Sequence, residues 1–241
     1  MATNSNNNQQ AQENANSGGE KSIPMLRTIL DLSLYPRQIP QFRGALIAQA
    51  GWEKDHLHNH KGKAEYHYRY PLIQYRVIKG KAAIIGIGEG SETLRRALLE
   101  VRELQIGNTK VPLRINHLSE EEVTIKMLPQ AREYRLMDWL PLNSENYQLW
   151  KNAKGLSQQT ALLDKLLVGQ LITLANGVNW QIPERMEAYL TALHKIKTVK
   201  VHGQDRVAFN VSFMANIDIP TDLAIGRSVA FGFGVTYPFK K

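Results

Sequence analysis

The order of strand and helix signals along this 241-residue chain predicts an α+β fold of two tandem βαββαβ units, the second carrying extra helices. Three observations support it. Residues 25–128 read strand, helix, strand, strand, helix, strand. Mixed strand and helix signals begin afresh beyond Pro129. And 43% of the residues are apolar, enough for a core in each unit rather than a disordered chain. The expected organisation is a disordered tail at 1–21, an N-terminal domain at 22–129 and a C-terminal domain at 130–241.

Residues 1–20 are rich in Asn, Gln and Ser, with almost nothing to bury. Met25–Leu34 places Ile29, Leu30, Leu32 and Leu34 in a buried strand, stopped by Tyr35-Pro36. Phe42, Leu46 and Ile47 sit near helical spacing in Gln41–Ala50. Gly51–Ala64 is a polar loop, and Glu65–Ile78 is an aromatic and β-branched strand with Pro71 at an edge or bulge. Lys79-Gly80-Lys81 turns into a strand at Ala82–Ile87. Ser91 reads as the N-cap of a helix whose Leu94, Leu98 and Leu99 share a face. Strands return at Val111–Ile115 and Val123–Leu128, completing a ferredoxin-like (RRM-like) order.

In the second unit Arg132–Leu142 reads as a strand, and Ser144–Trp150 and Ser157–Ala175 as helices. Leu162, Leu163, Leu166, Leu167, Leu171 and Leu174 form a stripe suited to a core or a dimer interface. Pro183 is expected to open another helix reaching His194. Lys197–His202 and Arg206–Phe213 flank Gly203-Gln204-Asp205 as a hairpin. A glycine-rich loop from Gly226 then runs into a last strand.

A formal net charge of +8 favours anionic partners. The excess is concentrated: Tyr35–Lys81 holds nine Lys and Arg against Glu53, Asp55 and Glu65, with four of the seven histidines. Zero cysteine excludes disulfides, thiolate metal sites, iron–sulfur clusters and thiol nucleophiles. No apolar run approaches the roughly 20 residues of a membrane helix, and the polar start lacks the apolar segment of a secretory signal. A cytoplasmic protein with no membrane partner is expected.

Three segments are candidates for chemistry. Asp55–Lys63 holds His56, His58 and His60 at alternate positions beside Lys61 and Lys63. Histidine titrates near neutrality, so one ring can remove a proton and another deliver one, while lysine holds charge developing on a phosphoryl oxygen. The same run also reads as a solvated loop, or as a metal site of alternating histidines. Tyr66-His67-Tyr68-Arg69-Tyr70, continued by Tyr75-Arg76, interleaves rings that stack bases with cations that meet phosphates. It reads equally as a strand with one packed and one solvated face. Gly226-Arg227-Ser228-Val229-Ala230-Phe231-Gly232-Phe233-Gly234 offers close backbone approach and free amides to a phosphate, or is a turn before a closing strand. It lacks the Lys-Ser/Thr ending of a nucleotide P-loop, and Gly86-Ile87-Gly88-Glu89-Gly90 is too compressed for a dinucleotide fingerprint.

Taken together, two ferredoxin-like units, histidines after the first helix and a glycine-rich loop before the last strand resemble the CRISPR repeat-processing endoribonucleases of the RAMP superfamily. The resemblance covers most of 22–241 and is sharpest at His58-Asn59-His60 leading to Tyr70–Tyr75, at Ala83–Ile87 and at Gly226–Gly234. It implies cofactor-free, metal-independent cleavage of CRISPR repeat RNA. The 2′-hydroxyl attacks the adjacent phosphate, leaving a 2′,3′-cyclic phosphate or 3′-phosphate and a 5′-hydroxyl. It implies His58 and His60 as acid and base, His56 in reserve, and Lys63 or Lys61 against the phosphorane. The family's additional catalytic tyrosine has Tyr35 as its candidate. Expected RNA contacts are Arg43, Lys61, Arg69, Arg76, Gly226, Arg227, Gly232 and Gly234. Repeat RNA is the expected partner of a monomer or homodimer, with other CRISPR effector subunits beside it. The alternative is a non-catalytic RAMP subunit that holds repeat or guide RNA.

Overall fold

In the computed structural model, which describes residues 19–51 and 70–239, the alternating segments of both halves join one sheet. The elements are β1 (Glu20–Ser33), α1 (Ile39–Ala50), β2 (Ile73–Ile78), β3 (Lys81–Ile87), α2 (Glu89–Glu100), β4 (Glu103–Ile106), β5 (Thr109–Pro112) and β6 (Ile115–Trp139). Then come α3 (Ser144–Asn152), α4 (Leu156–Gly177), β7 (Ala188–Val201), β8 (Gln204–Asp218) and β9 (Val235–Pro238). The strands run β2-β3-β1-β6-β8-β7, with β9 also on β6 and β4–β5 a separate hairpin.

The long β6 belongs to both halves. Ile115–Lys126 pairs with β1, while Lys126–Trp139 pairs with β8 and, over Tyr134–Met137, with β9. In the first half β2-β3-β1-β6 are the second, third, first and fourth strands of a βαββαβ unit. In the second half β7-β8-β6-β9 repeat that order. The fold is therefore two tandem ferredoxin-like units. The second carries both α3 and α4 after its first strand and joins its third strand to its fourth by Ile219–Gly234, which holds a 3-10 turn at Val229–Phe231.

Several elements depart from expectation. The helix expected from Pro183 to His194 is irregular chain to Glu187 and then the start of β7, paired with β8 through register shifts at Leu190/Ala192 and Leu193/Lys195. Helix propensity is worth less than about 1 kcal/mol per residue, and a ladder to the buried strand β8 outweighs it. The two strands expected either side of Pro129 are one, with the pairing to β8 shifting between Met127 and Arg132. Proline has no N–H for a ladder, and an irregular stretch asks for none. The β4–β5 hairpin was not foreseen. α2 begins at Glu89 after Gly88, so Ser91 is not its cap; its hydroxyl donates to the Gly88 carbonyl at 2.6 Å. The second-half hairpin turns at His202-Gly203, one residue early, with positive φ at both as a two-residue turn requires. β1 starts at Glu20, within the expected tail; residues 1–18 lie outside the described residues.

Two cores hold the sheet. In the first, Phe42 and Leu46 of α1 and Leu94 and Leu98 of α2 meet Leu26, Leu30, Tyr75 and Ile84. In the second, Leu163, Leu167, Leu171 and Leu174 of α4 meet Leu136, Trp139, Phe209, Val211 and Phe213, so the leucine stripe lines a core. Each such leucine contributes about 1.5–3 kcal/mol by burial. Alternation divides β3 between the two, Ile84 facing the first and Ile85 and Ile87 the second. The halves thus pack through the sheet itself, and the polar groups left on that inner face meet between them.

Candidate nucleic-acid interface

Ile225–Gly234 crosses from the second half onto the first. It is pinned at its base: the Ile225 N–H donates to the Gly234 carbonyl (2.7 Å), Gly234 to Asp138 (3.2 Å) and Arg227 to Leu140 (3.1 Å). Its tip lies on α1 and β2. Gly232, at φ +85°, is a strained and tight position for a side chain, since a Cβ would stand 3.1 Å from Ile39 Cδ1 and 3.2 Å from the Tyr75 carbonyl oxygen. At Gly234, φ +70°, a Cβ would run into the Ile225 carbonyl. Gly232 thus serves contact between the halves, and Gly234 the closure of the segment on its own base. Contrary to the expectation of amides offered to phosphate, those of Gly232 and Gly234 donate to the Val229 and Asp138 carbonyls. Gly226 lies against Trp139, whose indole N–H donates to Gln170 Oε1 at 2.6 Å.

Phe231 fills the crossing. The Arg43 guanidinium stands 5.2 Å from the Phe231 centroid and 6.0 Å from that of Tyr75, and His202 meets Phe231 edge-on at 4.7 Å. Arg43 is thus half-buried between two rings, and that burial pulls its pKa below the ordinary arginine range. Arg227, also half-buried, rides on the crossing segment.

A polar chain runs beside this contact. β-Alternation turns Ile73 and Tyr75 into the first core and Gln74 and Arg76 toward the second half. Arg76, only 4% exposed, donates Nη2 to Gln74 Oε1 (2.9 Å); Gln74 Nε2 donates to the Tyr70 hydroxyl (2.8 Å), which donates to the Ala224 carbonyl (2.9 Å). Asp222 lies 2.8 Å from Arg27 Nη2 and 3.8 Å from Arg76 Nη1, and Arg27 also reaches Glu121 at 3.3 Å. Burial raises the Tyr70 pKa far above its usual value, so the phenol stays neutral and able to donate. Burial lowers that of Arg76, opposed by Asp222. Arg76, expected at an RNA surface, is engaged between the halves.

His56, His58, His60, Lys61, Lys63 and Arg69 lie outside the described residues, in the 52–69 segment between α1 and Tyr70. Tyr35 is 67% exposed, with the Arg37 guanidinium 5.6 Å from its ring centroid. Sequence reasoning missed Arg27, Gln74 and Asp222. A signal existed for the first two, polar residues at inward positions of apolar strands; Asp222 had none. Among the described residues no group of three or more His, Cys, Asp or Glu is placed to hold a metal, and no helix is long and apolar enough to cross a membrane.

Two family models match this chain: the Cas6b N-terminal domain over residues 21–124 and the Cas6b C-terminal domain over residues 126–239. A crystal structure of Cas6b superposes with a TM-score of 0.77 at 27% identity, covering 91% of this chain and 100% of that one. A crystal structure of the CRISPR RNA processing endoribonuclease Cas6b, at 22% identity, shares the fold with a TM-score of 0.69 over 91% of this chain and 100% of that one. An uncharacterized protein of Methanocaldococcus jannaschii is 32% identical over 96 residues, 40% of this chain. The match spans 64% of that relative's length.

Proposed function

Because the chain belongs to the Cas6b family, we propose that it is an endoribonuclease that cuts CRISPR repeat RNA into guide RNAs without a metal ion. The observation that carries the reading is the match of both halves, residues 21–124 and 126–239, to the two domains of that family. The surroundings of the histidine segment support it: α1, which precedes it, and Tyr70, which follows it, both touch the stretch from Ala224 to Gly232.

In the proposed reaction one of His58 and His60 takes the proton of the 2′-hydroxyl as its oxygen attacks the adjacent phosphorus. The other gives a proton to the departing 5′-oxygen, leaving a 2′,3′-cyclic phosphate and a 5′-hydroxyl. Lys63 or Lys61 stabilises the extra negative charge of the phosphorane, and His56 is the reserve. Repeat RNA is the partner, other CRISPR effector subunits join it, and the setting is the cytoplasm.

The test incubates purified protein with repeat RNA in EDTA and maps the ends. Cutting should persist with the ends named above, and a 2′-deoxy substitution at the cleavage site should abolish it. His58→Ala and His60→Ala should each slow cleavage on the order of 10²–10⁴-fold while changing affinity little. Cutting of the 2′-deoxy substrate, or cutting that requires a divalent ion, would overturn the mechanism. Tight binding with no cleavage under any condition would make the protein a non-catalytic RAMP subunit.

A further inference from the structure

The buried polar chain between the halves is a costly way to join them. Among the described residues, the Nε atoms of Arg27 and Arg76 and Nη1 of Arg76 are buried without a hydrogen-bond partner. Apolar side chains of similar volume would hold two packed halves together at lower cost. What directional hydrogen bonds and opposed charges add is a single register, since they weaken steeply when misaligned. The chain also has an informative address. Tyr70 is the residue that follows the 52–69 segment, and Asp222 and Ala224 lie about four and two residues before Gly226. Asp222 is held at φ +71°, a left-handed conformation that a non-glycine residue keeps when its surroundings impose it.

We infer that Tyr70, Gln74, Arg76 and Asp222 are positioning residues for cleavage, holding the glycine-rich segment in one place relative to Tyr70, the residue that follows the histidine segment in the chain. The inference rests on the endoribonuclease reading. Arg27 and Arg76 hold Asp222 from the first half, and Tyr70 holds Ala224 two residues further on. Positioning of this kind acts on rate more than on binding, because a misplacement of about 1 Å can cost roughly 10²-fold in a reaction that depends on approach geometry.

Tyr70→Phe keeps the ring and removes the hydroxyl that links Gln74 to Ala224; Asp222→Asn removes the charge between the arginines. Each variant is measured for thermal midpoint, for affinity to repeat RNA blocked by a 2′-deoxy nucleotide, and for single-turnover cleavage at saturating protein. Tyr70→Phe should cut the rate about 10–100-fold with affinity within threefold and most of the protein folded at the assay temperature. Asp222→Asn should do at least as much, and the double variant should be no slower than the slower single one, because both break one network. If Asp222→Asn does not fold, Tyr70→Phe decides alone. An unchanged rate, or a rate that falls only in step with affinity or folded fraction, overturns the inference. If the native protein does not cut repeat RNA, the endoribonuclease reading fails separately. Amide exchange then judges the network: Tyr70→Phe should speed exchange across Ile225–Gly234, and unchanged exchange there overturns it.

Discussion

In the first half, β3 is joined to the fourth strand by α2 and the β4–β5 hairpin, and α2 turns Leu94 and Leu98 back onto the sheet. In the second half the corresponding connection, from β8 to β9, is Ile219–Gly234. It buries Leu223, Ile225 and Val229 in the second core and sets its tip, Phe231 and Gly232, on α1 and β2 of the other half. The strand order is the same on both sides, so the sheet does not account for the difference. A helix in that position completes a core locally. A glycine-rich segment in that position keeps part of the local cover and also reaches the neighbouring half. α4 covers most of the second half of the sheet, which releases the tip of the later connection for contact between the halves.

The comparison is broken most severely through the cores. Leu171→Ala in α4 and Leu46→Ala in α1 each empty a fully buried site and should cost roughly 2–5 kcal/mol. Because β6 and β3 serve both halves, denaturant unfolding of either variant should remain a single transition, moved to lower concentration. Two separated transitions would show that the halves are thermodynamically independent.

A smaller loss of stability with a sharper local meaning is expected at the crossing. Gly234→Ala places a methyl group against the Ile225 carbonyl at φ +70° and should cost roughly 2–3 kcal/mol. Its amide exchange should rise first across the crossing segment, where the α2 connection of the first half should be unaffected. Equal loosening of both connections would mean that the segment is no more than a turn closing its own sheet.

The first half was largely legible in the sequence because its elements answer to local pattern: Leu94 and Leu98 on one helical face, Ile84 and Ile85 alternating across a strand. The second half was less so. Ala188–His194 carries residues that favour helix, and only pairing with a strand more than ten residues later makes it β7. Pro129 reads as a boundary when it is a break in register within one strand. Of the candidate site, the glycines were visible but the reason for them was not. The purpose of Gly232 depends on Ile39 and Tyr75, far away in the chain. Asp222 was invisible for the same reason: its partners, Arg27 and Arg76, lie on strands of the other half.

The smallest effects separate two cations that share the crossing. Arg43 is packed between Phe231 and Tyr75, so Arg43→Ala removes packing as well as charge and should lower stability by roughly 0.5–2 kcal/mol. Arg227 travels on the crossing segment itself, its backbone N–H tied to the Leu140 carbonyl. Arg227→Ala should weaken repeat-RNA binding, and the loss should shrink as salt rises. In a plot of log affinity against log salt the slope should fall by about one phosphate contact. Arg43→Ala should leave that slope unchanged, because a guanidinium held between two rings has little left to offer a phosphate. The opposite pattern, a slope that depends on Arg43 and ignores Arg227, would place the RNA on the α1 side of the crossing and assign the glycine-rich segment to joining the halves alone.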